Sequence, residues 1–405
     1  DVGVIGATRT FEDGSVERGF RVYMAGGLGT TPFPALALED FTPKEDLLAT
    51  IEAVLRVFEQ TGNRDNKLRA RLKWVVDQLG IDEVRRRVLA IRNLLPASAT
   101  WPGGIPPVVT EWGDEPAGVA AGVTPTAMGQ GTPVTLGARS DYDRWVEANV
   151  VRGAANGTVS AYAWCELGDV TSSQFRAVAS IIREFDVDVR VTNRQNLVLR
   201  DLTEEQLPAL YERLVAAGMA RPGAELSRDV VACPGADTCN LAVTQSRGLA
   251  SAIGAALDEA GLAEVGGLRV NISGCTNSCG QHHTSDIGFF GAERRAHGQP
   301  APGYQMLLGG YVGQEQIHFG KKALRLPAKN AAEATVRVVS RYVGERQAGE
   351  QFINWLERSG GVAEVAAGLK DLDEFPTPDE GPEFYVDYDE TGPYVAEIGE
   401  SECAT

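Results

Sequence analysis

The sequence predicts an α+β protein in which one structural unit occurs twice. Short strands alternate with helices through the middle of the chain, a pattern typical of α+β modules. Residues 1–9 match residues 286–294, and residues 19–29 match residues 303–313 after a one-residue gap. Copies about 285 residues apart are too distant for a solenoid, so the matches indicate a duplicated domain with pseudo-two-fold symmetry.

The first unit covers residues 1–95. Its predicted strands and helices, in chain order, are residues 1–9, 19–25, 42–58, 66–79 and a helix from Asp82. Thr42 and Glu45 have the spacing of a capping box, which predicts the start of the first, amphipathic helix. Gly80 is expected to end the second helix.

The middle of the chain contains a linker and then a small module. Residues 96–137 are rich in Pro and Gly and are predicted to form the linker. Residues 138–220 contain two capping boxes, Thr171 with Gln174 and Thr203 with Gln206. The predicted elements are a strand at 157–166, a helix to 185, strands at 187–192 and 195–200, and a helix to 218. This order predicts a ferredoxin-like half-domain.

Four of the six cysteines form two closely spaced pairs, Cys233 with Cys239 and Cys275 with Cys279. Gly, Pro, Asn and Ser surround each pair, so both pairs are expected in loops that turn their thiolates toward one centre. Four thiolates suit zinc or an iron–sulfur cluster. The first pair lacks the short knuckle usual for structural zinc, which favours a cluster, and neither spacing is that of a ferredoxin.

Two other readings of these cysteines stay open: a structural zinc site, and four buried side chains that behave as small hydrophobes. Cys165 and Cys403 have no partner pattern and are interpreted as non-ligands. A helix is predicted to follow Cys239 directly, over residues 240–261, with its N-terminus toward the metal.

Charge and composition exclude several classes of protein. The 405 residues carry a net charge of −17, and residues 371–405 contribute twelve Asp and Glu with no Lys or Arg. This tail is predicted to be solvated or draped over the surface, and a nucleic-acid partner is not expected. No apolar run is long enough to span a membrane. Sparse cysteines in a metal-binding pattern fit a reducing compartment, so a cytoplasmic location is expected.

The block that contains the four cysteines, with residues 269–274 before it and residues 280–288 after it, resembles the signature of the sirohaem- and 4Fe-4S-dependent nitrite and sulfite reductases. Thr276 stands where this family usually has proline, and the ligand spacing is intact. The resemblance implies the duplicated architecture of this family, with a mixed α/β cluster-binding subdomain over residues 221–345 and a C-terminal helix and acidic tail over residues 346–405. It also implies that Asp1 lies inside the first half of such a protein and that a first-half segment is missing.

The resemblance implies roles for individual residues. Cys233, Cys239 and Cys275 are expected to bind only the 4Fe-4S cluster, whereas Cys279 is expected to bind both the cluster and the sirohaem iron. Further sirohaem contacts are expected from Thr192, Arg194, Asn196, Asn277 and Gly310. A hairpin turn is the alternative explanation for residues 191–196. The basic residues of segment 61–71 are expected either to anchor sirohaem carboxylates or to form a solvated helix face.

The implied reaction is the six-electron reduction of nitrite to ammonia or of sulfite to sulfide. Nitrite is preferred, because residues 277–281 look closer to the nitrite-type members. No flavin or nicotinamide fingerprint is present, so electrons are expected from a separate donor such as ferredoxin. The substrate-binding Arg and Lys are expected upstream of Asp1, and no catalytic residue is assigned.

The two adjacent histidines have a structural and a functional interpretation. His282 is either a proton source or a satisfied neighbour of the site. On an extended chain, His282 and His283 point to opposite faces and cannot share one metal. Two alternatives from other classes are a non-catalytic iron–sulfur electron carrier or sensor, and a structural zinc protein.

Overall fold

The computed structural model describes residues 1–95, 140–153, 157–313 and 316–396. These residues form two compact units, residues 1–95 and the described residues from 140 onward. Each unit combines sheets with helices, which confirms the predicted α+β class. The predicted linker at residues 96–137 and Cys403 lie outside the described residues. None of the helices within these ranges is long and apolar enough to cross a membrane.

The first unit is a three-stranded antiparallel sheet followed by three helices. Its strands are β1 (Val2–Thr10), β2 (Val16–Met24) and β3 (Leu36–Pro43), in that order across the sheet. Its helices are α1 (Leu47–Thr61), α2 (Leu72–Leu79) and α3 (Ile81–Arg92). Apolar side chains from both layers form one core: Val22, Met24, Leu38, Val54, Val57, Val75, Val84 and Val88.

The first helix begins later than predicted, because the preceding residues belong to a strand. The capping box predicted for Thr42 and Glu45 is wrong: Thr42 lies in β3, and its hydroxyl donates to the Glu39 carboxylate at 2.8 Å. A 3-10 helix, Lys44–Asp46, connects this strand to α1. Pro43 fits the end of a strand as well as the first turn of a helix, so the sequence signal was ambiguous.

Residues 140–220 form the first part of the second unit. Its elements are α4 (Asp141–Asn149), β4 (Val150–Arg152), β5 (Val159–Ala163), α5 (Ser172–Phe185), β6 (Asp188–Val191), β7 (Leu197–Leu202) and α6 (Leu207–Ala216). The sheet order is β4-β5-β7-β6. Both predicted capping boxes are confirmed, at Thr171 with Gln174 and at Thr203 with Gln206.

The remainder of the second unit is a five-stranded mixed sheet covered by helices. Its strands are β8 (Val231–Ala232), β9 (Val270–Ser273), β10 (Ile287–Ala296), β11 (Gln299–Leu308) and β14 (Lys321–Pro327), with the small hairpin β12 (Tyr311–Val312) and β13 (Ile317–His318). Its helices are α7 (Ser246–Glu259), α8 (Ala331–Glu345), α9 (Phe352–Arg358) and α10 (Gly361–Ala367). Alternate residues of β9, β10 and β11 lie in the core, among them Ile272, Phe289 and Tyr304.

The duplicated unit is confirmed, and it is longer than the sequence match. In the first unit Val2 pairs with Met24, and in the second the equivalent Ile287 pairs with Leu308. The third strand repeats as well: β3 ends against β2 in the register in which β14 ends against β11, although the pairing differs by one residue at the start of these strands. A three-residue 3-10 helix and a 15-residue α-helix then follow in each copy. The one-residue gap lies in the turn between the first two strands.

The two copies differ at one edge of the sheet. In the second copy β10 pairs on its outer side with β9, whereas β1 has no second partner among the described residues. As a result Ile5 is 58% exposed while its equivalent, Phe290, is 8% exposed. The expectation that a first-half segment is missing remains a prediction.

Truncation of Val54 and of its neighbour Leu55 should affect stability very differently. Val54 is 1% exposed in the core of the first unit, whereas Leu55 is 58% exposed. Val54→Ala should lower the free energy of unfolding by roughly 2 kcal/mol through lost burial and a residual cavity. Leu55→Ala should change it by less than about 0.5 kcal/mol. Denaturant titration followed by circular dichroism measures both, and equal effects would show that the helix is rotated from the position described.

Candidate metal centre

The topology of the second sheet brings the two cysteine pairs together. Strands β8 and β9 are adjacent and parallel, with Val231 opposite Asn271. Cys233 follows β8, and Cys275 follows β9 after Gly274. The carboxyl ends of adjacent parallel strands lie at the same edge of a sheet, which is where binding loops occur in such folds. Both cysteine loops therefore emerge side by side.

The first cysteine loop is tied to the neighbouring strand and to helix α7. The backbone N–H of Cys233 donates to the Ile272 carbonyl of β9 at 3.1 Å. The Ser246 hydroxyl, in the first turn of α7, donates to the Cys233 carbonyl at 2.7 Å and lies 3.4 Å from the Cys233 sulfur. The N–H of Cys239 donates to the Gly235 carbonyl at 3.0 Å. Both thiols of this pair are thus held on short, hydrogen-bonded backbone.

The two loops touch at Gly274. Its N–H donates to the Cys233 sulfur at 3.2 Å, and its carbonyl accepts the N–H of Val243 at 2.8 Å. A Cβ at Gly274 would lie only 2.9 Å from the Gly235 Cα. Any larger residue at this position would push the loops apart, so the missing side chain is what permits the contact.

The four thiols occupy one region of the molecule. Burial raises the pKa of Cys275, the N–H of Asn277 lowers it, and the charges of Cys233, Cys279 and Cys239 raise it further. Three thiols can act on the fourth in this way only if all of them are near it. Cys239 and Cys279 are exposed, Cys233 and Cys275 are partly buried, and none forms a disulfide.

The donor set fits an iron–sulfur cluster. Within the described ranges, no group of three or more His, Cys, Asp or Glu side chains is arranged to hold one metal ion. Backbone N–H groups point instead at the sulfurs of Cys233 and Cys275, as expected for thiolates whose charge is shared with an iron–sulfur cluster.

Helix α7 differs from the prediction at its start. The helix predicted directly after Cys239 begins only at Ser246. The intervening N–H groups of Val243 and Thr244 donate to Gly274 in the second cysteine loop, so this segment cannot continue a helix. The N-terminus of α7 still lies close to a cysteine of the centre, but this cysteine is Cys233 rather than Cys239.

Residues 192–196 form the hairpin turn between β6 and β7, the alternative that the sequence left open. The N–H of Thr192 donates to the Asn196 carbonyl at 2.8 Å, and the Thr192 hydroxyl accepts the N–H of Asn196 at 3.1 Å. Asn196 is 0% exposed, and its amide oxygen accepts the N–H of Cys165 at 2.9 Å. The polar side chains of the turn are therefore engaged within the chain.

A buried ion pair joins this turn to the segment before β8. One terminal nitrogen of Arg194 donates to the Asp229 carbonyl at 2.7 Å, and its Nε lies 3.4 Å from the Asp229 carboxylate. The same carboxylate accepts the amide N–H of Asn196 at 2.9 Å. Arg194 and Asn196 thus fasten the half-domain to the cysteine-bearing part of the unit. The sirohaem contacts expected from Thr192, Arg194 and Asn196 remain predictions.

The other two expected sirohaem contacts lie beside the second cysteine loop. Asn277 is partly exposed inside that loop. Gly310 lies against the carbonyls of His283 and Ser285, where a Cβ would collide with both. The absence of a side chain at Gly310 is thus explained by packing within the chain, and a role in approaching a flat ligand remains a prediction.

The adjacent histidines are not arranged as predicted. His282 and His283 lie in a 3-10 helix, His282–Thr284, rather than on an extended chain. Their rings therefore lie on the same side, with centroids 4.2 Å apart. Both side chains are buried.

The basic segment of the first unit is ordered by its own side chains. Asn63 and Asn66 accept backbone N–H groups within the segment, and Arg71 pairs with Asp1 at 3.1 Å. Sequence reasoning missed Lys73, which is 4% exposed and donates to the carbonyls of Leu28 and Thr31. Lys73 was missed because it lies among apolar residues in the sequence of helix α2.

Sequence reasoning also missed that part of the acidic tail packs on the first cysteine loop. Asp387 accepts the N–H of Gln245 at 2.9 Å, and the Tyr394 hydroxyl donates to the Val243 carbonyl at 2.7 Å. Together with the loop around Cys239, this segment lines an open pocket of about 520 Å³. The tyrosines among the acidic residues were the signal that this tail has a buried side.

A buried carboxyl group lies at the start of β10, beyond the second cysteine loop. One oxygen of Asp286 accepts the N–H of Arg269 at 2.9 Å, and the other has no hydrogen-bond partner among the described residues. Burial raises the pKa of Asp286 to about 7. The folded protein therefore holds a proton here that the unfolded chain releases.

The chain matches known families over most of its length. Residues 1–93 and 223–365 match the family described as "Nitrite and sulphite reductase 4Fe-4S domain". Residues 154–217 match the "Nitrite/Sulfite reductase ferredoxin-like half domain". These two matches include every cysteine of the centre and the hairpin turn at residues 192–196.

Similar curated proteins are nitrite and sulfite reductases. The ferredoxin-nitrite reductase of Synechococcus elongatus is 29% identical over 80% of this chain and 56% of its own length. The assimilatory ferredoxin-dependent nitrite reductase of Haloferax mediterranei is 28% identical over 89% and 58%. The sulfite reductase [NADPH] hemoprotein beta-component of Chromohalobacter salexigens is 26% identical over 91% and 58%. The chain thus spans just over half the length of these relatives.

One solved structure is similar in both fold and sequence. The Mycobacterium tuberculosis NirA protein superposes with a TM-score of 0.67 at 27% identity. The superposition covers 88% of this chain and 60% of that protein.

Replacing Asp286 by Asn should alter how stability depends on pH. Because the pKa is about 7 in the folded state and 3.8 in the reference state, the wild-type protein loses stability as the pH rises through this interval, by on the order of 4 kcal/mol. The Asn variant has no such proton to lose. Denaturant titrations between about pH 4 and about pH 8 measure the difference, with exposed Glu293→Gln as the control. The same pH dependence in the wild type and the Asn variant would contradict the burial of a proton at this site.

Proposed function

Because the chain belongs to the nitrite and sulphite reductase 4Fe-4S family, we propose that it binds a 4Fe-4S cluster and supplies the cluster-binding part of an enzyme that reduces nitrite or sulfite. The proposed ligands are Cys233, Cys239, Cys275 and Cys279. One observation carries the assignment: Gly274 holds the two cysteine loops in contact, with its N–H on the Cys233 sulfur. Two loops distant in sequence are thereby presented at one edge of one sheet.

The chain's own groups prepare the thiolates for a cluster. The N–H groups of Gly274 and Asn277 donate to the sulfurs of Cys233 and Cys275. Such bonds favour the charged thiolate and disperse its charge. The N-terminus of α7, beside Cys233, adds the positive end of a helix dipole. Because thiolate ligands must stay reduced, these features also support a cytoplasmic location.

We propose that Cys279 also binds the iron of a sirohaem. Cys239 and Cys279 are both exposed, so either sulfur is accessible to a second iron. The resemblance of the second cysteine loop to the family signature selects Cys279. When bound, the coupled cluster and sirohaem would pass electrons singly to a nitrite or sulfite ion, which needs six. The chain holds the four thiolates in place on two polar loops. Its backbone N–H groups donate hydrogen bonds to two of these thiolates.

Nitrite is the substrate we propose first, and ferredoxin the donor. Two relatives, at 29% and 28% identity, are named as ferredoxin-dependent nitrite reductases. The sulfite reductase relative, at 26%, is only slightly less similar, so the preference for nitrite is modest. Residues 277–281, which resemble the nitrite-type members of the family, also favour nitrite over sulfite.

Serine variants of the four cysteines should separate ligands from bystanders. Each replacement at Cys233, Cys239, Cys275 or Cys279 should abolish most of the cluster absorption and lower the iron content of the purified protein, because serine is a poor ligand for iron in such clusters. Cys165→Ala is the matched control, because this buried thiol lies two residues after β5 in the half-domain. Loss of Cys279 should in addition shift the tetrapyrrole bands.

Different spectra would contradict the proposal in recognisable ways. Cluster absorption without tetrapyrrole bands in the wild-type protein would favour an electron carrier or sensor. A colourless protein that contains one zinc per chain would favour a structural zinc site. Full iron content after a serine replacement would remove that cysteine from the ligand set.

Turnover with each oxyanion tests the choice of substrate. With reduced ferredoxin or an artificial donor, we expect the full-length protein to reduce nitrite with a higher kcat/KM than sulfite. Equal values for both substrates would refute the ranking while leaving the reaction class intact.

A further inference from the structure

The end of the second cysteine loop is tied back to the strand from which the loop starts. The Ser273 hydroxyl, at the last residue of β9, accepts the N–H of Gly280 at 3.1 Å. The side-chain amide of Asn271, two residues earlier on β9, donates to the Gly280 carbonyl at 2.9 Å. Both peptide groups that flank Gly280 are therefore held by the strand that leads into Cys275.

The loop contains backbone that needs such restraint. Ser278 and Gln281, close to Cys279 on either side, have φ values of 63° and 60°. Residues other than glycine rarely adopt this left-handed conformation, and it persists only where the surrounding structure imposes it. A Cβ at Gly280 would collide with the Ile272 carbonyl. The direction of the Cys279 side chain therefore depends on how firmly Gly280 is held.

His282 is the third member of this network. Its Nδ1 lies 2.8 Å from the Ser273 hydroxyl, and its ring packs on Phe290 with centroids 5.0 Å apart. The side chain is 0% exposed, and its Nε2 has no hydrogen-bond partner among the described residues. The bond to Ser273 is thus the polar contact that fixes this ring.

The Ser273 hydroxyl links two groups. Its oxygen accepts the N–H of Gly280, and Nδ1 of His282 is its second hydrogen-bond partner. Because a hydroxyl can donate one hydrogen bond and accept two, this contact forms with either tautomer of a neutral imidazole. Burial, aided by His283, lowers the pKa of His282 to about 3, which keeps the imidazole neutral. The bond to His282 holds the Ser273 rotamer in which the oxygen faces Gly280.

We propose that His282 is a positioning residue for the proposed cluster: acting through Ser273, it locks Gly280 and so fixes the direction of Cys279. This inference rests on the proposed function and adds to it a residue that touches no ligand. Partners of this kind commonly change metal affinity by about 10- to 100-fold when they are removed. His282 is therefore expected to determine how tightly the centre holds its cluster.

Two amide replacements of His282 distinguish this role from simple packing. In His282→Asn the amide group lies near the position of Nδ1, so a hydrogen-bond partner for Ser273 is retained although the side chain is smaller. In His282→Gln the amide group lies near the position of Nε2, so this partner is lost although the side chain fills more volume than asparagine. Ser273→Ala removes the same link from the other side.

The measurements are made on purified, cluster-loaded protein. The first is the rate of cluster loss on challenge with an iron chelator, and the second is the paramagnetic resonance spectrum and midpoint potential of the reduced cluster. We expect His282→Gln and Ser273→Ala to lose the cluster roughly tenfold or more faster and to have altered spectra. The rate of cluster loss from His282→Asn should stay within about threefold of the wild-type rate. The double variant that combines His282→Gln with Ser273→Ala should lose the cluster no faster than the two single variants.

Each other outcome overturns the inference. Asn and Gln variants with equal defects would show that the ring acts only by filling space. Variants indistinguishable from the wild type would remove His282 from the site and leave the proposed function standing. A wild-type protein without any cluster would overturn the proposed function itself. If His282→Gln does not fold, Ser273→Ala carries the same test, because it removes only one oxygen atom.

Discussion

The contact at Gly274 determines whether the two cysteine loops can form one site. Parallel pairing of β8 with β9 places two loops at one sheet edge, but only a residue without a side chain lets them meet there. Once in contact, the backbone of one loop donates to a thiol of the other. The sheet places the two loops side by side, and the glycine allows them to touch, so that the four sulfurs lie in one region.

The duplicated unit explains how the chain builds this edge. The same three strands, 3-10 helix and long helix occur in both copies, and the first two strands pair in the same register in each. Only the second copy, among the described residues, has parallel strands added to its first strand. The cysteines lie in the loops that follow those added strands, so the repeated scaffold supports the site and the added strands position its ligands. The C-terminal segment, through Asp387 and Tyr394, then closes over the first loop.

Local signals in the sequence predicted the elements that depend on local physics. The capping boxes at Thr171 and Thr203 fix helix starts by bonds within four residues, and both occur as expected. The helix expected directly after Cys239 failed because distant Gly274 competes for the same N–H groups. The capping box predicted at Thr42 was wrong because this residue pairs with β2 as part of a strand. The partners of Arg194 and Asp387 are likewise far away in sequence, so no local pattern could reveal them.

Iron and acid-labile sulfide determination, combined with Mössbauer spectroscopy of the purified wild-type protein, shows whether four thiolates on two touching loops hold one 4Fe-4S cluster. We expect a cubane cluster with four thiolate ligands in every fully loaded chain, in addition to any iron in a tetrapyrrole. Protein that contains no acid-labile sulfide, or that holds one zinc ion in place of iron, would contradict this expectation.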